Sequence, residues 1–130
     1  MANEGTLRIT VIEAHLEHDT EAIGKMDPYV KMSSRDGDEQ WKSGVMKRAG
    51  KNPVWDHDHV WDMRVHYFGD ELEYIVMDHE KIGKDDEIGK GKTKIAALAI
   101  DGGFDEWFDI EFKGEKAGRL HLKGEWFPKA

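Results

Sequence analysis

Short segments that alternate apolar and polar residues, each closed by a turn bearing Gly, Asp or Asn, run the length of this chain. A period of two sends successive side chains to opposite faces of a strand. In "TLRITVIEA", Leu7, Ile9 and Val11 fall on one face and Arg8, Thr10 and Ile12 on the other. "DPYVKM", "QWKSGVMK", "PVWDHDHVWDM", "ELEYIVMD", "EIGKGKTKI", "DEWFDIEF" and "RLHLKGEWF" supply seven more segments. In "PVWDHDHVWDM" the strand is expected to open at Val54, with Trp55, His57 and His59 alternating with Asp56, Asp58 and Val60. "RDGDE", "AGKNP", "FGDE", "DGGFDE" and "KGEKAG" punctuate them. Eight short strands with regular turns predict an all-β, eight-stranded antiparallel β-sandwich. "TKIAALAI" reads as a short helical turn. The 130 residues are expected to form one domain, 1–130, with a core that needs no staples. There is no cysteine, hence no disulfide, no thiolate nucleophile and no cysteine metal site.

The formal net charge is -8. A nucleic-acid binder would carry a basic face, so no nucleic-acid partner is expected. Unaided attraction to an anionic membrane is likewise disfavoured, although a bound cation can reverse that locally. No apolar run approaches the length of a bilayer span. "MANEGTL" lacks the basic and apolar regions of a secretion signal, so a cytoplasmic location is expected.

The stretch "MDHEKIGKDDEIG" follows the apolar run "LEYIV" and carries five acids and two lysines. Either the loop is solvated charge or it holds a cation, and taken alone it fits both. Calcium takes six to eight oxygen ligands, mostly carboxylates and carbonyls. Asp78, Glu80, Asp85 and Asp86 supply such oxygens, and Asp78 and Glu80, two apart at a strand end, can point the same way. An EF-hand reading from Asp78 fails: Ile82 falls at position 5, and Gly89 stands at position 12 where a bidentate Glu is required. The strand-like flanks fail it too.

A second acidic loop, "DTEAIGKMDPYVKM", ends in Asp27-Pro28-Tyr29-Val30 and runs into a strand. With "NPVWDHDHVWDM" and "MDHEKIGKDDEIGKG" following in order, the chain resembles a C2 domain, and most of all the small single-C2 proteins of the plant elicitor-responsive type. That resemblance implies an antiparallel sandwich whose loops at one end hold Ca2+ between carboxylates and bind phospholipid. The chain opens with the strand that feeds the DPYV loop and closes with "AGRLHLKGEWF", an order similar to the circularly permuted type II topology. The family's metal ligands fall on Glu21 and Asp27 in the first loop and on Asp78, Glu80 and Asp86 in the third. Asp85 stands next to the last of these, and His79 and Lys84 would offer backbone carbonyls. Glu21 and Glu80 stand where the family usually has aspartate, and Asp19 could substitute for Glu21.

Six carboxylates at one tip would repel anionic lipid until cations neutralise them, and calcium could then bridge to lipid phosphate. Ile82 at the tip of the third loop, with Ala22 and Ile23 in the first, fits shallow insertion into the membrane, with Lys25, Lys81 and Lys84 at the headgroup level. The bland alternative is that these tips pack against each other. The expected partner is therefore an anionic phospholipid membrane, bound reversibly and with calcium. The alternative is a calcium-independent C2 domain that binds a protein partner or a phosphoinositide, with no functional metal site.

Other constellations carry less. Lys42, Lys47, Arg48 and Lys51 read first as a solvated turn. His57 and His59 share a strand face but lack a third ligand for zinc. The five tryptophans read as core and sandwich-edge packing. Ser33, Ser34 and Ser43 lie in no nucleophile elbow, and no phosphate-cradling glycine loop is present, so catalysis is not expected.

Overall fold

The computed structural model describes residues 4–21, 24–34, 39–55 and 59–130. Its strands are β1 (Gly5–Leu16), β2 (Pro28–Ser34), β3 (Gln40–Lys42), β4 (Val60–Val65), β5 (Glu71–Asp78), β6 (Asp86–Lys94), β7 (Gly103–Phe112) and β8 (Glu115–Pro128). Every pairing between them is antiparallel, in the order β3-β2-β5-β6-β7-β8-β1-β4. β6 and β7 are paired in register only at Lys90 and Glu111. That seam folds the sheet into two layers, β3-β2-β5-β6 and β7-β8-β1-β4. Tyr74 of the first layer packs on Phe108 of the second, ring centroids 5.7 Å apart. At the far edge, Trp41 of β3 stacks on Trp61 of β4 and covers the two edge strands.

The eight-stranded antiparallel sandwich predicted from the turns is therefore present. The first strand leads into the DPYV strand, and the last strand returns to lie beside the first. Leu7, Ile9 and Val11 are wholly buried, as their alternation requires. A bulge between Val11 and Glu13 then shifts the parity by one, which returns Ala14 and Leu16 to the core.

Two segments depart from expectation. "QWKSGVMK" is strand only over Gln40–Lys42; from Ser43 it loops away. Of "PVWDHDHVWDM", the residues from Val60 belong to β4 and Val54 makes a single bridge to Glu13 with its side chain out in solvent, while Asp56, His57 and Asp58 lie outside the described residues. The segment still follows β1: the Ala14 N–H donates to the Pro53 carbonyl (3.0 Å) and the Trp55 backbone N–H to the Ile12 carbonyl (2.8 Å), while the Trp55 indole turns inward to donate to the Gly44 carbonyl. The helical turn exists: Ile95–Leu98 is one turn of α-helix with Ile95 and Leu98 buried. Of the tryptophans, Trp55 and Trp61 are core, and Trp41 and Trp126 pack against it. Trp107 departs from the core reading, lying on the outer face between His15 and His121.

Candidate metal centre at one end of the sandwich

The strand parity of β5 builds the site. Leu72, Tyr74 and Val76 point into the core, so Asp78, next in phase, points inward too and is 0% exposed. It pairs with Pro28 of β2 on one side and Asp86 of β6 on the other, at the mouth of the sandwich. A buried carboxylate must be hydrogen-bonded or paired. Here the Thr20 hydroxyl donates to Oδ2 (2.6 Å) and the Asp27 backbone N–H donates to Oδ1 (2.8 Å). The first loop is thereby fastened to the end of β5 by the carboxylate itself.

Glu21, Asp78 and Glu80 each present a carboxylate oxygen, and these atoms lie within 4.8 Å of one another. Glu80 Oε1 is buried and has no hydrogen-bond partner, alone in this among the side-chain atoms of the described residues. Desolvation raises the Glu80 carboxyl to about 7, followed by its closeness to the Asp86 carboxyl and by the charges of Glu21, Asp78 and Asp86. Desolvation likewise raises Glu21, followed by its proximity to Asp78, Asp86 and Asp27. Like charges held this close disfavour ionisation. A hard cation would reverse that penalty, and an orphaned buried oxygen with two convergent neighbours is a donor set suited to one.

The remaining expected ligands are placed around this triad. Asp86 opens β6 at the exposed rim beside Glu80. Asp27 is half-buried, and its Oδ1 accepts the Arg48 backbone N–H (2.6 Å) from the loop after β3. Arg48 has φ 57, a left-handed turn that aims this amide at the carboxylate. Asp85 faces away from the triad: Oδ1 accepts the Glu80 N–H (2.9 Å), and Oδ2 accepts the Tyr29 hydroxyl. The Glu80 amide and the Tyr29 hydroxyl hold its carboxyl below the usual range. Burial, with that same hydrogen bond, pushes the Tyr29 phenol up to about 12. The His79 ring lies edge-on to Tyr29 and 3.3 Å from Asp85, while the His79 backbone N–H donates to the Asp27 carbonyl (3.0 Å). Asp19 is exposed and caps the first loop by accepting the Glu21 N–H (2.9 Å), so it stands behind Glu21.

Ile82 is 92% exposed, followed by Gly83 at φ 86, which turns the chain back and leaves the isoleucine at the apex. It does not pack inside the loop. Ala22 and Ile23, the first-loop counterparts, lie outside the described residues, as does His57. Lys47, Arg48 and Lys51 are exposed in the loop after β3, whereas Lys42 lies on the strand.

Sequence reasoning missed Thr20, Tyr29 and the Arg48 amide. Tyr29 had a signal, since a tyrosine at the start of a strand beside an acidic loop has an acceptor within reach. Thr20 and the Arg48 amide had none, because their roles depend on loop geometry.

A family model described as the C2 domain matches residues 5–110. Synaptotagmin-4 of Arabidopsis thaliana is 32% identical over 127 residues, which is 96% of this chain and 21% of that protein. The chain thus spans about a fifth of the length of that relative. Among solved structures, the calcium-bound C2A- and C2B-domains of Extended-Synaptotagmin 2 are 30% identical, with a TM-score of 0.80 over 98% of this chain and 47% of that one. A C2 domain-containing protein from a candidate elicitor-responsive gene shares the fold, with a TM-score of 0.79 at 22% identity, covering 99% of this chain and 93% of that one. No helix among the described residues is long and apolar enough to cross a membrane. In strand order, in the motifs that carry its loops and in the match from Gly5 to Ile110, this chain belongs to the C2 domain family.

Proposed function

We propose that this chain is a calcium-dependent phospholipid-binding module, cytoplasmic and reversibly membrane-associated, and not an enzyme. One observation carries the reading. Three carboxylates converge at the mouth of the sandwich around a buried oxygen that has no partner, and an isoleucine stands fully out in solvent on the same loop. Glu21, Asp78 and Glu80 would hold the ion, with Asp86 at the rim and Asp27 and Asp85 bracing the loops. A bound calcium ion supplies positive charge and open coordination positions that a lipid phosphate can fill. The residues of the tip then do two things. The carboxylates keep the calcium-free tip off an anionic surface, and Ile82 offers apolar area to the acyl boundary. Burying one isoleucine contributes roughly 1.5–3 kcal/mol, too little to anchor the protein without the charge term. Binding should therefore be reversible. The calcium-bound state of the Extended-Synaptotagmin 2 C2 pair supports the cation, and membership of the family supports the lipid.

Sedimentation with phosphatidylserine/phosphatidylcholine vesicles tests the reading. The protein should pellet in millimolar calcium and stay in solution in chelator. Equal pelleting in both would favour the calcium-independent alternative, and none in either would end the lipid reading.

A further inference from the structure

We propose that two copies of this chain associate through the outer face of β7 and β8, about a twofold axis that runs along the strands. The surface lies outside the acidic loops, and nothing in it depends on calcium.

Strand parity sorts the residues of this face. On β7, Phe108 and Ile110 are buried, so Asp105, Trp107 and Asp109 point out. On β8, Leu120 and Leu122 are buried, so Arg119, His121 and Lys123 point out. The outward stripe of β7 is therefore acid–indole–acid, and that of β8 is base–imidazole–base. The antiparallel register sets the two side by side, with Asp105 beside Lys123, Trp107 beside His121 and Asp109 beside Arg119. A half-turn about a line parallel to the strands, in front of the face and midway between β7 and β8, exchanges the stripes and keeps each residue at its height. It sets the acid–indole–acid stripe of one copy over the base–imidazole–base stripe of the other, and each contact occurs twice. An acidic or a basic partner would match one stripe and repel the other, whereas a second copy matches both. Sheets packed in this way cross at about 30°. Trp107 then stays over His121 at the centre, and the outer pairs fall to the reach of Arg119 and Lys123.

The centre of the face is already ordered. Trp107 is 36% exposed. His121 stacks on its ring at 4.9 Å and His15 at 5.5 Å, and the Arg119 guanidinium lies 5.2 Å from the ring centroid. A tryptophan fixed by its neighbours loses little freedom on contact, and tryptophan and arginine are the side chains that most often carry the energy of an interface. Asp105 holds His121 Nε2 at 2.5 Å. Among the described residues no ion pair joins Asp109 to Arg119, which leaves the Asp109 carboxylate for the arginine of a second copy. The net charge of -8 drives two copies apart at long range. The two acids and two bases of this patch cancel, so here the copies meet without that penalty.

Sedimentation velocity of the whole chain tests the dimer, in chelator and about 0.15 M salt, from micromolar to millimolar protein. The wild type should pass from monomer to dimer as its concentration rises. Asp109→Arg sets two bases over each other at both symmetry-related contacts, and Arg119→Glu sets two acids there. Each variant should weaken association by at least about tenfold, because like charges face to face disfavour a pairing. An equimolar mixture of the two variants should regain the wild-type association, since every one of these contacts then joins opposite charges. A wild type that stays monomeric throughout, or a dimer that both variants keep, overturns the proposal. So does a mixture that stays as monomeric as its parts, which would mean that the two charges act within one chain and not between two. None of these outcomes bears on calcium or vesicle binding.

Discussion

Asp78 is the only carboxylate buried among the described residues, and the reason lies in its strand parity rather than in the loop it precedes. Its place among the expected ligands came from the resemblance, and its burial was legible from the alternation of "ELEYIVMD". What was not legible is how its charge is satisfied, because Thr20 and the Asp27 amide arrive from across the sandwich mouth. This gives a sharp expectation for Asp78→Asn. The amide can still accept from the Asp27 N–H and can donate to the Thr20 oxygen, and one negative charge leaves a repulsive cluster. Calcium affinity and calcium-dependent vesicle binding should be lost, while the melting temperature in chelator stays level or rises. A variant that unfolds would show that Asp78 is structural first. Ile82→Ser separates the other two properties of the tip. A side chain this exposed contributes little to the fold, so stability should change by no more than about 0.5 kcal/mol. Calcium affinity without lipid should be unchanged. Vesicle binding should weaken by about tenfold or more, since one large aliphatic chain is worth roughly 1.5–3 kcal/mol when buried. Unaltered partitioning would mean that the tip does not insert.

The strands were the most legible elements, because period-two burial leaves a direct trace in sequence. β1, β2, β5, β7 and β8 lie close to where the alternation put them. The segment from Ser43 to Val54 was misread because its valines mimic a strand, whereas the chain loops away from Ser43 and Val54 makes only a single bridge to Glu13. Bulges were equally hidden, since an extra residue changes parity without changing composition. One close approach can be tested directly. Gly118 on β8 has φ 140, and a Cβ there would stand 2.1 Å from the His15 carbonyl oxygen of β1. Gly118→Ala should cost about 1–3 kcal/mol in denaturant unfolding, the usual range for a non-glycine residue forced into glycine's backbone region. The outer face of the same layer carries a second test. His121 on β8 sits between Asp105 of β7 and Glu13 of β1 and stacks on Trp107. Burial lowers its pKa, but the hydrogen bonds and charges of Asp105 and Glu13 outweigh burial and raise it above the ordinary 6.5. A raised folded value means that this stabilisation is fully present below pH 6.5 and is lost as pH rises through the folded pKa. The wild type minus His121→Gln difference in unfolding free energy should therefore shrink from pH 6 to pH 9. A constant difference would mean that the imidazole is held neutral throughout.

At the scale of the molecule, the net charge of -8 and the position of the acids act together. The core is one layer pair that folds around Leu7, Ile9, Leu72, Ile88, Leu120 and Leu122, and none of these residues depends on a cation. The end of the sandwich is where a cation would act, because it gathers Glu21, Asp78 and Glu80 and leaves one buried oxygen unpartnered. The calcium-free protein should thus be folded but held below its attainable stability by repulsion at that end. A ligand that binds only the folded state stabilises it by mass action, about 2.7 kcal/mol at a hundredfold excess over its dissociation constant. For a chain of 130 residues this corresponds to a rise in melting temperature on the order of 10 °C. The shift should saturate with calcium, reverse on chelation and vanish in Asp78→Asn. Magnesium at the same concentration should give a smaller shift, because it demands near-ideal octahedral geometry and gives up its water reluctantly. Melting curves in chelator, calcium and magnesium measure this on one sample. Identical curves in chelator and calcium would leave the convergent carboxylates as surface charge and remove the basis for a cation at this end of the sandwich.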